Sequence, residues 1–213
     1  MRRSLVIGRT NVGKTLFCIR FAKYLGVRQL QWFVESADGR TEQMRMSMDE
    51  AEQVLSDRSP HKTRCLQSIR VEVPRGKVNR ELLLTDTTGL SDGVHPDKTV
   101  REAMAQTLET MLSAGIVLHL VDASEIGEHL DERKPRISSE LPHSAWGALD
   151  AQIAAYGQQT PNYFILANKI DLPKASQGYR ALVHKFSKQR VIPVSAMQGT
   201  GFREVRQHVW RLA

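Results

Sequence analysis

The run Gly8-Arg9-Thr10-Asn11-Val12-Gly13-Lys14-Thr15 follows the spacing GxxxxGK[ST], which serves to hold a phosphate chain. Glycine lets the backbone curl until successive N–H groups face one anion, and a helix starting where the loop ends adds partial positive charge. Lys14 is suited to neutralise the outer phosphates. The Thr15 hydroxyl is suited to magnesium, a hard ion that takes oxygen ligands. Val12 lies in the same run and Leu16 directly follows it, and both count with it as ligand contacts. A glycine turn with a chance Lys-Thr is the plain alternative, but strand-like Leu5-Val6-Ile7 before it and a helical pattern after it argue for the phosphate loop. This loop alone separates neither adenine from guanine nucleotides nor a kinase from a hydrolase.

Three further runs narrow the chemistry. Asn168-Lys169-Ile170-Asp171 follows the apolar stretch Tyr163 to Ala167, at the carboxyl end of a strand, where ligands of open α/β sheets bind. A carboxylate such as Asp171 accepts from both the ring N–H and the exocyclic amine of guanine, a donor pair that adenine lacks. Ser195-Ala196-Met197 ends the run Arg190 to Val194 and can present a backbone N–H to the guanine carbonyl. Asp86-Thr87-Thr88-Gly89 closes Glu81 to Thr85 in the pattern DxxG: Asp86 would hold magnesium through water, and the Gly89 N–H would meet the third phosphate. An Asp before a glycine turn is common, so this pattern gains meaning only from its order and from the strand before it. A nucleoside kinase would leave Asn168 to Asp171 without a task.

Those residues need elements to carry them. The patterning predicts a strand at Leu5 to Ile7, a helix from Lys14 to about Leu25, and strands at Ser68 to Val73 and Glu81 to Thr85. Pro74 to Lys77 joins the last two as a hairpin. Next come a helix at Thr99 to Leu112, a strand at Gly115 to Val121, a helix at Ala145 to Tyr156 and a strand at Tyr163 to Ala167. A helix at Ala175 to Ser187, a strand at Arg190 to Val194 and a helix at Phe202 to Trp210 complete the chain, which is expected to end within that last helix. Such alternation is the α/β class: a mostly parallel sheet with one antiparallel edge hairpin and helices on both faces. Residues 26–60 and 124–144 exceed ordinary connections and read as insertions in a single domain spanning 1–213. Trp32 and Trp146, inside or beside them, read as exposed or as packed into a local core.

Composition sets the bounds. With 213 residues, 41% hydrophobic and 25% charged, the chain is neither disordered nor collagen-like and can bury a core. Its longest apolar stretch, Gly115 to Val121, falls far short of the roughly 20 residues that span a bilayer. The amino terminus lacks the core of a signal peptide, so no transmembrane segment and a cytoplasmic location are expected. Cys18 and Cys65 have no His or Cys cluster around them and read as reduced thiols. The segment 174–213 carries eight Lys or Arg against the one acid Glu204, which matches the whole formal charge of +7. It is either a solvated basic face or a contact for a phosphate backbone. Residues 26–60 hold four arginines against seven acids and look solvent-facing.

Taken in order, GRTNVGKT, DTTG, NKID and SAM resemble a small GTPase domain of the translation-factor-related class, over nearly the whole chain. The Asn of the first run and the form DTTGL are similar to the Era, EngA and MnmE branch of bacterial GTPases. The resemblance implies a three-layer P-loop NTPase G domain that binds GTP or GDP with magnesium and hydrolyses GTP slowly, as a nucleotide-dependent switch. Carried over, Gly8, Asn11, Gly13, Lys14 and Thr15 bind phosphate and magnesium, and Asp86 and Gly89 sense the nucleotide state. Asn168, Lys169 and Asp171 recognise guanine, joined by Ser195 and Ala196.

A switch threonine would complete the magnesium shell of Thr15 and Asp86. Thr63, in Pro60 to Arg64, is the candidate and joins Lys14 and Gly89 as catalytic; Lys62 replaces the first Thr of the family's Thr-Thr-Arg run, and Thr41 competes. Leu90 stands where many GTPases place a water-orienting Gln, and a hydrocarbon cannot orient water, so turnover is expected to be slow without potassium or a partner. Members of the branch with Asn in the phosphate loop can use potassium, and Asn11 occupies that position. His95 is a further candidate for orienting water, or a surface His. Partners expected besides GTP or GDP are ribosome or RNA at 174–213, or a protein effector at the switch regions or at 26–60.

Overall fold

The computed structural model describes residues 2–35, 40–55, 66–75, 78–87, 98–130 and 141–212. Strand β1 (Arg2–Ile7) leads through the glycine loop into helix α1 (Lys14–Tyr24). There follow β2 (Gln29–Glu35), β3 (Thr41–Ser47), α2 (Met48–Leu55), β4 (Leu66–Arg75), β5 (Val78–Asp86), α3 (Lys98–Ser113) and β6 (Ile116–Asp122). The chain continues with α4 (Ala123–His129), α5 (Ala148–Gly157), β7 (Tyr163–Asn168), α6 (Ala175–Lys185), β8 (Arg190–Pro193) and α7 (Phe202–Leu212). One eight-stranded sheet takes the order β3-β2-β4-β5-β1-β6-β7-β8. From β5 to β8 all pairings are parallel, as strands joined through helices must be.

Alternation along β1 divides the core. Val6 points to one face of the sheet, among Phe17, Phe21, Met48 and Phe202 from α1, α2 and α7. Leu5 and Ile7 point to the other, among Met111, Ile126, Ile153 and Leu182 from α3, α4, α5 and α6. Three layers result, with helices on both faces, which is the expected fold class. Among the described residues no helix is long and apolar enough to cross a membrane. Cys18 is buried, and burial pushes its thiol well up, so it stays protonated; Cys65 lies outside the described residues.

The expectation for residues 26–60 needs correction. The expected hairpin is present as β4 and β5, paired antiparallel from Gln67↔Asp86 to Arg75↔Val78, but β2 joins β4 and β3 joins β2, both antiparallel. This stretch therefore widens the sheet and adds α2 to one face, rather than lying wholly in solvent. Composition misled because in Gln29-Leu30-Gln31-Trp32 only alternate residues turn inward: Leu30 and Trp32 are fully buried while Gln29 is exposed. Met48 and Ala51 of α2 are buried as well. Trp146, in the connection before α5, is also buried. Helix α4 takes up the start of 124–144, and residues 131–140 lie outside the described part.

On the second face a polar chain crosses the core. His119 of β6, fully buried, meets the Tyr163 hydroxyl at 2.7 Å through Nδ1 and Asp150 Oδ1 at 3.0 Å through Nε2. Removing one member strands the others away from water, which costs more than the bond itself contributes. Urea unfolding should therefore show Asp150→Ala losing on the order of 2 kcal/mol and Tyr163→Phe about 1 kcal/mol. Equal, near-zero losses would contradict this reading.

Candidate functional site

Parallel strands bring their carboxyl ends to one edge of the sheet. The register pairs Val6 with Asp86, Ile7 with His119, Asp122 with Asn168, and Ala167 with Pro193. The loops after β1, β5, β6, β7 and β8 therefore converge, and every motif singled out from sequence that lies in the described residues sits on one of them. Glycine is required at two places in the first loop. Gly8 has φ 151° and abuts the Leu120 carbonyl, while at Gly13, with φ 92°, a Cβ would stand 2.7 Å from Asn168 Nδ2. Asn11, at the exposed tip, also takes the left-handed region with φ 61°. Gly13 is the N-cap of α1 and offers no capping side chain, and the first turn holds no acid. Such a helix start suits an anion.

Lys14 is buried over this loop, and its Nζ donates to the Arg9 carbonyl at 2.7 Å. Burial pulls its pKa below the ordinary lysine value, with the Asp86 carboxylate acting in the opposite sense. The Thr15 hydroxyl donates to Asp86 Oδ2 at 2.5 Å. Asp86 is fully buried, and its Oδ1 has no hydrogen-bond partner. Burial pushes its carboxyl up to about 6, against the pull of Lys14 and the Thr15 and Thr87 hydrogen bonds. A threonine hydroxyl beside an orphaned carboxylate oxygen is a hard-oxygen pair that fits magnesium. Thr87 fixes the end of β5, its hydroxyl donating to the Val6 carbonyl at 2.9 Å.

At the end of β7, Asn168 joins two loops. Its Nδ2 donates to the Val12 carbonyl at 2.7 Å, and its Oδ1 accepts from the Ala196 N–H at 3.0 Å. The Ala196 amide is thus engaged by Asn168. Lys169, in the left-handed region with φ 61°, pairs with Asp122 Oδ2 at 2.5 Å. Asp171 is exposed. Ser195 is buried, and its hydroxyl oxygen accepts from the Gln198 N–H at 2.9 Å, closing the turn that holds Ala196 and Met197. Val12 is buried and Leu16 half-buried, beneath the loop rather than on its open side.

Thr63, Gly89, Leu90 and His95 lie outside the described residues. Thr41, the competing switch residue, starts edge strand β3. Three strand spacings, about 14 Å, separate β3 from β5, which carries Asp86, and this removes Thr41 from the Thr15–Asp86 pair. Sequence reasoning missed Asp122, which positions Lys169 and caps α4 by accepting the Ser124 and Glu125 N–H groups. An Asp ending an apolar strand just before a helix was the available signal. It also missed Arg20, whose guanidinium reaches the Met197 carbonyl at 3.0 Å; nothing local to α1 marks that contact.

Comparison with known proteins places residues 3–169 in the family described as 50S ribosome-binding GTPase. The tRNA modification GTPase MnmE of Aquifex aeolicus is 25% identical over 126 residues, 59% of this chain and 22% of that protein. The chain thus spans less than a quarter of this relative's length. Aquifex aeolicus Era bound to GDP·AlF4⁻ aligns over 100% of this chain and 57% of its own, with TM-score 0.65 and 16% identity. Era in complex with MgGDPNP and nucleotides 1506–1542 of 16S ribosomal RNA covers 99% of this chain and 56% of its own, with TM-score 0.63 and 16% identity. At such identities the structural likeness is one of fold.

The buried carboxylate has a measurable signature. Without metal or nucleotide, the folded chain holds the Asp86 proton more tightly than the unfolded chain, because burial raises the pKa from 3.8 to about 6. Stability of the metal-free protein should then fall as pH rises through that window, by on the order of 3 kcal/mol. Asp86→Asn should flatten the profile in thermal melts taken in chelator; an unchanged slope would contradict the assignment. Separately, Asn168→Asp replaces the Nδ2 donor with an acceptor facing the Val12 carbonyl. It should lower the melting temperature by several degrees, consistent with a loss of about 1–3 kcal/mol.

Proposed function

The chain belongs to this family of GTPases, and on that premise we propose that residues 1–213 form one G domain that binds GTP and GDP with magnesium, hydrolyses GTP slowly, and presents different surfaces in its two nucleotide states. The observation that carries the reading is the convergence, on one edge of the sheet, of the uncapped start of α1, the Thr15–Asp86 pair and the Asn168–Asp171 turn. The first loop offers backbone N–H groups to phosphates, and Lys14 lies above it with an ammonium that can move from the Arg9 carbonyl to a phosphate oxygen. Thr15 and Asp86 would hold magnesium, which when bound offsets charge on the outer phosphates. Asp171, exposed beside the base loops, would accept both guanine donors.

Hydrolysis needs a water in line with the third phosphate and positive charge on the oxygens around it. Lys14 supplies part of that charge. Thr63 and Gly89 are assigned to the remaining nucleotide contacts by resemblance of their motifs, and Leu90 cannot orient water. Potassium near Asn11 is the proposed source of the missing charge, because Asn11 stands at the exposed tip of the loop.

A second reading is favoured by the β8 edge of the sheet, where basic residues stand on both layers. Arg180 and Lys185 of α6, Lys188, Arg190 of β8, and Arg203, Arg206 and Arg211 of α7 are all exposed. Such an edge would track a phosphate backbone, and Era, of which this chain covers 56%, is known in complex with ribosomal RNA. In this reading the G domain is a nucleotide-controlled RNA or ribosome assembly factor.

Calorimetry should show GDP and GTP binding with ATP excluded, and Asp171→Asn should shift preference toward xanthine nucleotides, whose added carbonyl needs a donor. Tight ATP binding with indifference to GTP would sink the proposal. Turnover should be faster in potassium than in sodium, and Asn11→Ala should abolish that difference. For the basic face, RNA affinity should fall steeply between low and physiological salt and be lost on charge reversal at Lys185, Lys188 and Arg190. Salt-insensitive retention would reject it.

A further inference from the structure

Helix α2 is linked to the turn that begins at Ser195 through the side chain of Arg20. Arg20, on α1, donates from one guanidinium nitrogen to the Met197 carbonyl at 3.0 Å, and its other terminal nitrogen lies 3.1 Å from Glu52 Oε2 of α2. Both side chains are largely covered, 33% and 20% exposed. Glu52 is fixed in turn by Lys23, whose Nζ lies 3.2 Å from Oε1 and 3.6 Å from Asp49 Oδ1. Helix α2 is packed against α1, with Met48 and Ala51 buried in the same core cluster as Phe17 and Phe21. The Met197 carbonyl belongs to the turn that begins at Ser195 and carries Ala196, itself bonded to Asn168. A planar guanidinium gripped on both sides is well suited to fix a carbonyl, since its donors are set in one rigid fork.

We propose that Arg20 is a positioning residue for base recognition: with the Ser195 and Ala196 amides bonded to the Thr200 carbonyl and Asn168 Oδ1, it holds the Ser195–Met197 turn at the height where the Met197 N–H meets the guanine carbonyl, and Glu52 holds Arg20. The stretch 26–60 thereby governs how long a guanine nucleotide stays bound. A protein that pulls α2 aside would free Arg20, loosen the turn and release the base without touching the phosphate loop. The inference rests on the assignment of this turn to the guanine site.

Three nucleotides separate the outcomes: GDP, inosine diphosphate, which keeps the O6 carbonyl, and the diphosphate of 2-aminopurine riboside, which lacks it. With full-length protein and magnesium, Arg20→Ala should weaken GDP and inosine diphosphate by about tenfold, the order of one charge-assisted hydrogen bond, and leave the 2-aminopurine analogue unchanged. Glu52→Gln, at a partly exposed position, should weaken both O6-bearing nucleotides in the same pattern by a smaller factor, and serves where Arg20→Ala does not fold. Arg20→Lys, keeping one donor, should recover part of the loss. Equal weakening of all three nucleotides would reduce Arg20 to a structural support and overturn the proposal, as would no change in any of them. If the unaltered protein failed to prefer GDP over the 2-aminopurine analogue, the guanine assignment itself would fall.

Discussion

One buried amide holds the candidate site together. Asn168 donates to the Val12 carbonyl in the first loop and accepts from the Ala196 N–H in the last, so loops at opposite ends of the chain are fixed to the end of β7. Both bonds are buried, where leaving either partner unsatisfied would be costly. This constraint fixes its neighbours. Gly13 must lack a Cβ because Asn168 Nδ2 would stand 2.7 Å from it, and with Gly13 as N-cap the start of α1 has no side-chain cap. The residue that ties the last loop to β7 thus also shapes the first.

A second constraint is electrostatic. Lys14 and Asp86 are both buried, and burial disfavours the charged form of each: it lowers the pKa of Lys14 and raises that of Asp86. Their mutual attraction offsets part of that cost, and the Thr15 hydroxyl offsets more on the carboxylate side. One oxygen of Asp86 remains without a partner. Such an arrangement is poor for the stability of a bare protein and good for one that binds a divalent ion and a polyphosphate, a trade common at functional sites.

The widened antiparallel side of the sheet gives the domain a structural arm on the far side of β5 from the parallel strands. Strands β2 and β3 extend the hairpin, and α2 returns over α1, so the stretch enters the core through Leu30 and Trp32 and again through Met48 and Ala51. Because α1 begins at the phosphate loop and carries Arg20 toward Met197, the arm is packed against the helix that links both halves of the site. Edge strand β3 is exposed along nearly its whole length, leaving one side of its backbone available for pairing.

The sequence by itself determined the elements whose signals are local. A glycine-spaced loop between apolar strand and amphipathic helix, a proline-glycine hairpin signal, and apolar runs ending in Asp86, Asn168 and Ser195 can each be read within a dozen residues, and the structure sets the glycine loop and the ends of those apolar runs at one sheet edge. Tertiary structure alone decided which groups meet across long separations. That Asn168 bonds Val12, 156 residues away, that Arg20 bonds Met197, 177 residues away, and that Asp122 pairs with Lys169 are facts of strand order, not of pattern. Strand β2 escaped notice for a related reason: its apolar residues alternate with glutamines in a stretch rich in charge, and their inward direction is fixed only once β4 lies beside it. Local propensity reaches as far as a helix turn or a strand pair, whereas burial and hydrogen-bond satisfaction are properties of the assembled sheet.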